Sequence, residues 1–246
     1  MKNILKNVTR IALLKEKMLP KHIAIATTSL IFCEKQEKTK REELALKNIL
    51  GFIDRQVKLN IPILTIMFPS EEGKDIKFID ELVSELIGNN IIHENKVKIM
   101  FIGNWFDLPI AIKENMKKII DETKEYDNYF LNILVKYDGK KEVISAVKVL
   151  TLKAANKNLD PENITPQQIK ESLFTSYFVP PDLIIQCGYL FSGIMLFDSP
   201  GAVIHFTNNK QWISIDKKDF DEALLKYKKA VQLERKVEET RKEESK

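Results

Sequence analysis

Pro20-Lys21-His22-Ile23-Ala24-Ile25-Ala26-Thr27-Thr28-Ser29-Leu30 is the stretch on which the fold turns. Its apolar run is short and lies between a proline and a polar segment, which predicts a buried strand of a parallel sheet rather than a helix. In open α/β sheets ligands bind beyond the carboxyl ends of the strands, so chemistry is expected just after Ala26. Thr27, Thr28 and Ser29 stand there, with neither a carboxylate nor a glycine loop.

On the amino-terminal side, Ile4, Leu5, Val8, Ile11, Ala12 and Leu14 recur at helical spacing among lysines. They predict an amphipathic helix over residues 1–19 that packs on its own domain or lies on a membrane surface. On the other side, Glu34 to Arg41 reads as a charged, solvated segment without the glycines of a phosphate cradle. Leu44, Leu46, Ile49, Leu50, Ile53 and Val57 then follow a helical period, and a second strand covers 61–68. Pro69-Ser70-Glu71-Glu72-Gly73 breaks that strand, and a helix runs over 75–88.

The alternation continues with a strand over 97–102, a helix opened by Leu108-Pro109 through Glu122, a strand over 130–137 and a helix over 141–155. A short helix (166–173), a strand (182–186), an irregular apolar run (194–197) and a sixth strand (203–207) follow, and a last helix begins at Asp219. Strands alternating with helices predict a single α/β domain with a mostly parallel six-stranded sheet flanked by helices, spanning 20–229. Residues 230–246 are nearly all charge at their end and predict a solvated helix or tail.

Composition narrows the function classes. The 246 residues are 44% hydrophobic and 30% charged, which suits a water-soluble globular chain. The 39 basic and 35 acidic residues interleave, so a net charge of +4 does not point to nucleic acid. Cys33 and Cys187 have no metal-binding spacing and imply a reducing, cytoplasmic setting, with peripheral contact at a membrane as the alternative. No apolar stretch approaches the roughly 20 residues of a membrane span, and Met1 to Met18 is too charged for a signal peptide.

Tyr137-Asp138-Gly139-Lys140-Lys141-Glu142-Val143 resembles the Tyr-Gly-Gly-Arg-x-Glu-Ile turn of the cis-prenyltransferases of the undecaprenyl diphosphate synthase type. Other stretches fall in that family's order. Pro20 to Ile25 and Leu64 to Phe68 resemble its first two strands, and Ile102-Gly103-Asn104 with Leu108-Pro109 resembles its Ile-Gly-Asp and Leu-Pro pair. Pro181-Asp182-Leu183-Ile184-Ile185 resembles the strand before its phosphate-binding arginine, and Trp212 with Asp219-Phe220 and Ala223 resembles its Trp-Pro-x-Phe region. The resemblance implies the family's fold over about 20–229 and repeated condensation of isopentenyl diphosphate onto an allylic diphosphate.

That chemistry needs Mg²⁺ on a carboxylate and cationic donors around the diphosphate. The resemblance puts Thr28 at the family's catalytic Asp, Gln186 at its phosphate-binding Arg and Val203 at its later metal-binding Glu. Glu42 falls at a family His, and Phe68-Pro69-Ser70-Glu71-Glu72 replaces its Phe-Ser-Thr-Glu-Asn loop. Lys228-Lys229-Ala230-Val231-Gln232 replaces its arginine-rich end. A threonine hydroxyl cannot supply the charge Mg²⁺ requires, and neutral side chains cannot replace diphosphate clamps. No catalytic residue and no cofactor is therefore expected in this chain, and Mg²⁺ is expected in an active partner. Glu71 and Glu72 are the carboxylates that could stand in as ligands.

His22, His93 and His205 are too scattered for a metal site and read as structural, as does Asp182. Lys140 and Glu142 read as turn and helix-start residues. Tyr189 to Phe197 replaces a polar catalytic loop with large hydrophobes. The resemblance implies a partner contact there, at Phe191, Ile194, Leu196, Phe197, His205 and Phe206. The implied function is a non-catalytic subunit of a heteromeric cis-prenyltransferase making polyprenyl diphosphate for glycan lipid carriers. Its partner is an active paralogue, in a heterodimer or heterotetramer, or a second copy of itself. The alternatives are an active homodimeric synthase with displaced ligands and a polyprenyl-lipid-binding protein.

Overall fold

Strand β1 (His22–Ala26) is buried along its whole length and pairs in parallel with β2 (Ile63–Met67) and β5 (Leu183–Gln186). With β3 (Val97–Ile102), β4 (Tyr129–Leu134) and β6 (Val203–Phe206) it forms a sheet of order β3-β4-β2-β1-β5-β6, and every pairing is parallel. The register sets Ala26 beside Met67 and Gln186, so these three residues share the carboxyl edge. The chain is seen in a computed structural model that describes residues 18–27, 35–68, 76–207 and 215–244. The amphipathic helix expected in residues 1–19 lies almost wholly outside them.

Alternation along the strands separates two cores. Ile23, Ile25, Leu64, Ile66, Leu131 and Ile133 face one side. Helices α1 (Lys35–Lys58), α2 (Ile76–Ile87) and α4 (Ile110–Thr123) pack there with Phe52, Phe78 and Met116. Ala24, Ala26, Met67, Leu134 and Ile184 face the other side, against Phe178, Ile194 and Met195. That second side also carries α5 (Gly139–Ala155) and the short α6 (Pro166–Glu171), whose start is closed by a capping box between Thr165 and Gln168. The final helix α7 (Lys217–Glu244) is tied to α1 by the buried Arg55–Asp221 ion pair at 2.7 Å.

Several boundaries differ from expectation. Helix α1 begins at Lys35 rather than at Arg41, because Lys, Gln and Glu are strong helix formers and no proline or glycine interrupts them. A short α3 (Asn90–Glu94) fills the gap before β3, capped by the Asn89 side chain, which accepts from the Ile91 amide. Strand β4 stops at Leu134, since Lys136 adopts a left-handed φ of 48° and turns the chain. The charged end, expected as a solvated helix or tail, is helical in α7 as far as Glu244. No described helix is long and apolar enough to cross a membrane.

Candidate functional site

The carboxyl edge of the central strands is where the topology directs a ligand. Thr27 is buried, and its hydroxyl donates to the Met67 carbonyl at 2.6 Å, so it serves the sheet. Gln186 is 1% exposed. Its Nε2 donates to the Cys187 carbonyl at 2.9 Å and its Oε1 accepts from the Ser192 amide at 2.9 Å. Both ends of the side chain are thus spent on the loop that follows, where Gly188 supplies a φ of 80°. Cys187 is buried beside it, its amide donating to Ala26.

Arginines are few among the described residues. Of the five arginines in the sequence, Arg55 is held by Asp221, and Arg235 and Arg241 lie on the exposed end of α7. Arg10 lies outside the described residues, and Arg41 is in the second turn of α1. Val203, half-buried, presents only hydrocarbon, while its amide donates to the Asp182 carbonyl. Glu42 is buried on α1 at 4% exposure. Thr28, Glu71, Glu72 and Trp212 lie outside the described residues. Among those that are described, no three His, Cys, Asp or Glu side chains gather where they could hold a metal.

The histidines do structural work. His22 is fully buried, with Nδ1 2.7 Å from the Val179 carbonyl and Nε2 2.8 Å from Thr65 Oγ1. A carbonyl only accepts, so Nδ1 carries the hydrogen and Nε2 accepts from Thr65. Thr65 Oγ1 in turn accepts from Asn132 Nδ2 at 3.0 Å, and burial lowers the His22 pKa to about 4. Asp182 Oδ2 accepts from the amides of Lys21 and His22 at 2.7 and 3.0 Å, which holds the start of β1. His93 pairs with the Ile87 carbonyl and Tyr126, and His205 is half-buried with its pKa lowered, first by burial.

The turn after β4 is locked as tightly as the central edge. Tyr137 Oη donates to Glu142 at 2.5 Å, and the other Glu142 oxygen accepts from the Thr175 amide at 2.9 Å. Burial and the adjacent carboxyl push the Tyr137 phenol well above its usual range. Asp138 caps α5 by accepting from the amides of Lys140 and Lys141. Gly139 is obligatory, because a Cβ there would stand 2.2 Å from the Gly193 carbonyl oxygen. The start of α5 therefore seats the loop around Gly193 to Leu196, and Glu142 is a buried link rather than only a helix-start residue.

The expected partner contact divides. Ile194 is 0% exposed and packs with Phe178 and Met195 inside the chain, so it is not available to a partner. Phe191, Leu196, Phe197, His205 and Phe206 are half-buried. Strongly exposed apolar residues include Tyr189 and Leu190 in the same loop and Ile144, Val147 and Leu152 on α5. Sequence reasoning missed the α5 residues because they sit in an ordinary helical period, which does not say which face is covered. It also missed a cavity of about 640 Å³ at the ends of β3 and β4, lined by three separated stretches of chain.

Residues 32–235 match the family model described as putative undecaprenyl diphosphate synthase. An isoprenyl transferase of Oceanobacillus iheyensis is 29% identical over 180 residues, covering 70% of this chain and 71% of the relative. A tritrans,polycis-undecaprenyl-diphosphate synthase (geranylgeranyl-diphosphate specific) of Picrophilus torridus is 24% identical over 232 residues, covering 87% and 89%. Lavandulyl diphosphate synthase from Lavandula x intermedia, crystallised with dimethylallyl diphosphate, shares the fold with a TM-score of 0.72 at 20% identity. That likeness covers 86% of this chain and 96% of the other.

Proposed function

We propose that this chain, which belongs to the undecaprenyl diphosphate synthase family of cis-prenyltransferases, is a non-catalytic subunit of a heteromeric cis-prenyltransferase. It pairs with an active family member and supports synthesis of long-chain polyprenyl diphosphate for glycan lipid carriers. The observation that carries this reading is Gln186. Where the resembled family places a diphosphate-binding arginine, this chain has a buried neutral side chain whose two polar ends are both engaged by its own loop. Freeing it would break its bonds to the Ser192 amide and the Cys187 carbonyl.

Mg²⁺ does not fit the residues at the three positions where the resemblance implies the family's ligands and clamp. Val203 offers no oxygen from its side chain, Gln186 is neutral and engaged, and the sequence has threonine at 28. What the chain offers instead is surface. Tyr189 and Leu190 are 60% and 83% exposed, and Ile144, Val147 and Leu152 are each at least half exposed on α5. Gly139 brings the start of that helix against Gly193, so the loop and the helix approach one another. Exposed apolar side chains of this kind favour a partner that stabilises or positions the catalytic chain.

The test is to mix the purified chain with an active family member. Association, with a changed elongation rate or product length, is expected. If the two neither associate nor affect elongation, the subunit reading fails. Alone, with an allylic diphosphate, labelled isopentenyl diphosphate and Mg²⁺, the chain is expected to show no turnover. Turnover abolished by Glu71→Ala would favour an active enzyme with displaced ligands.

A further inference from the structure

Beyond β3 and β4, on the second side of the sheet, lies the cavity of about 640 Å³. Its size is that of a small-molecule site. Met100, Ile102 and Trp105 form its walls, and Phe106, Phe174 and Tyr177 line it while standing 64%, 48% and 86% exposed. Trp105 and Phe106 stack with ring centroids 4.3 Å apart, which presents an aromatic wall.

The polar groups in the lining are unevenly used. Asp138 spends one oxygen on capping α5, and Asn104 pairs with Asp107. Lys136 and Lys141 also line the cavity, and among the described residues neither makes an ion pair. Lys136 holds a left-handed φ of 48°, a conformation that costs a side-chain-bearing residue about 1–2 kcal/mol. In the lining itself two lysines stand against one carboxyl, Asp138, while Asp107 is engaged by Asn104, and the mouth is cationic over apolar walls.

We infer that this cavity binds a small apolar anion: an aromatic or aliphatic body carrying one carboxylate, sulfonate or phosphate monoester. The body lies against Trp105 and Phe106, and the anionic head meets Lys136 and Lys141. This site is separate from the central carboxyl edge, and it stands or falls independently of the subunit reading.

The test uses the full chain with anilinonaphthalene sulfonate and with laurate as probes, read by energy transfer from tryptophan to the naphthalene ring and by calorimetry. Saturable binding at one site is expected, weakening as salt rises. Lys136→Gly with Lys141→Gln is expected to weaken laurate at least tenfold. Ser145→Trp, which fills the cavity from α5, is expected to abolish both signals. Dodecylammonium or dodecanol binding as tightly as laurate would overturn the choice of an anion. Unchanged probe binding in a Ser145→Trp protein with native circular dichroism would overturn the cavity as the site. Should that variant not fold, Lys141→Glu, on the exposed surface, supplies the decision: unaltered laurate affinity there overturns the inference.

Discussion

The sheet presents polar residues at two places along its carboxyl edge, and it treats them in opposite ways. At the centre, Thr27 and Gln186 turn their polar atoms inward onto Met67, Cys187 and Ser192. At the β3–β4 end, the turn from Lys136 to Glu142 buries Tyr137 and Glu142 against each other yet leaves two lysines beside an open cavity. Both places are well ordered by hydrogen bonds, so order alone does not mark a site. What distinguishes them is whether charge is left over once the internal bonds are counted.

The sharpest way to break the comparison is Gln186→Arg. A guanidinium at a position 1% exposed loses both glutamine bonds and is taken out of water. A loss of about 3–5 kcal/mol is expected in urea denaturation, as for other uncompensated buried charges. A loss under about 1 kcal/mol would show that the centre still opens to an anion, and the contrast between the two places would collapse. Restoring a carboxylate alone is expected to do nothing for activity: Thr28→Asp leaves Gln186 and Val203 unchanged, so measurable prenyl transfer by that variant would contradict the subunit reading.

The buried polar row beneath the centre gives the next effect. His22 is neutral in the fold, with its pKa lowered from 6.5 to about 4 by burial. Between those two values the unfolded chain binds more protons than the folded one, so stability rises with pH through that window. The contribution is fully present above about pH 6.5 and is lost as the pH falls through about 4, a change of about 3 kcal/mol. Subtracting the pH profile of His22→Gln from that of the native protein isolates it. A flat difference would mean that His22 is hydrated or already charged.

On the other side of the comparison, Glu142→Leu strands the Tyr137 hydroxyl and the Thr175 amide in the core. A cost of about 2–3 kcal/mol is expected by denaturation. Because Gly139 seats the Gly193 loop, the same change is also expected to raise amide exchange from Gly193 to Leu196. Slow exchange there in the variant would separate the two features.

Much of the fold is legible in the sequence because doubly buried parallel strands leave near-continuous apolar runs, such as Ile23 to Ala26 and Leu183 to Ile185. The start of α1 is not, since residues 35–43 carry charge without an apolar period and only propensity favours helix. The chemistry of the centre is half legible. The identity of Gln186 can be set against a family pattern, but its bond to Ser192 depends on a loop fold that no periodicity encodes. The cavity is not legible at all, because residues 100–106, 136–145 and 174–177 meet only once the sheet and α5 are in place.

Lys136 supplies the smallest and most discriminating change. Glycine adopts the left-handed φ of 48° without the Cβ penalty but loses more conformational entropy on folding. Lys136→Gly is therefore expected to stabilise the protein by about 0.5–1 kcal/mol while it weakens laurate binding. A residue kept only for the turn would move stability alone, and one kept only for charge would leave stability unchanged. Opposite movement of the two in one protein is the result that ties the strained backbone to the anion. Equal laurate affinity before and after the change would leave the strain without a function and return the β3–β4 end to the same class as the closed centre.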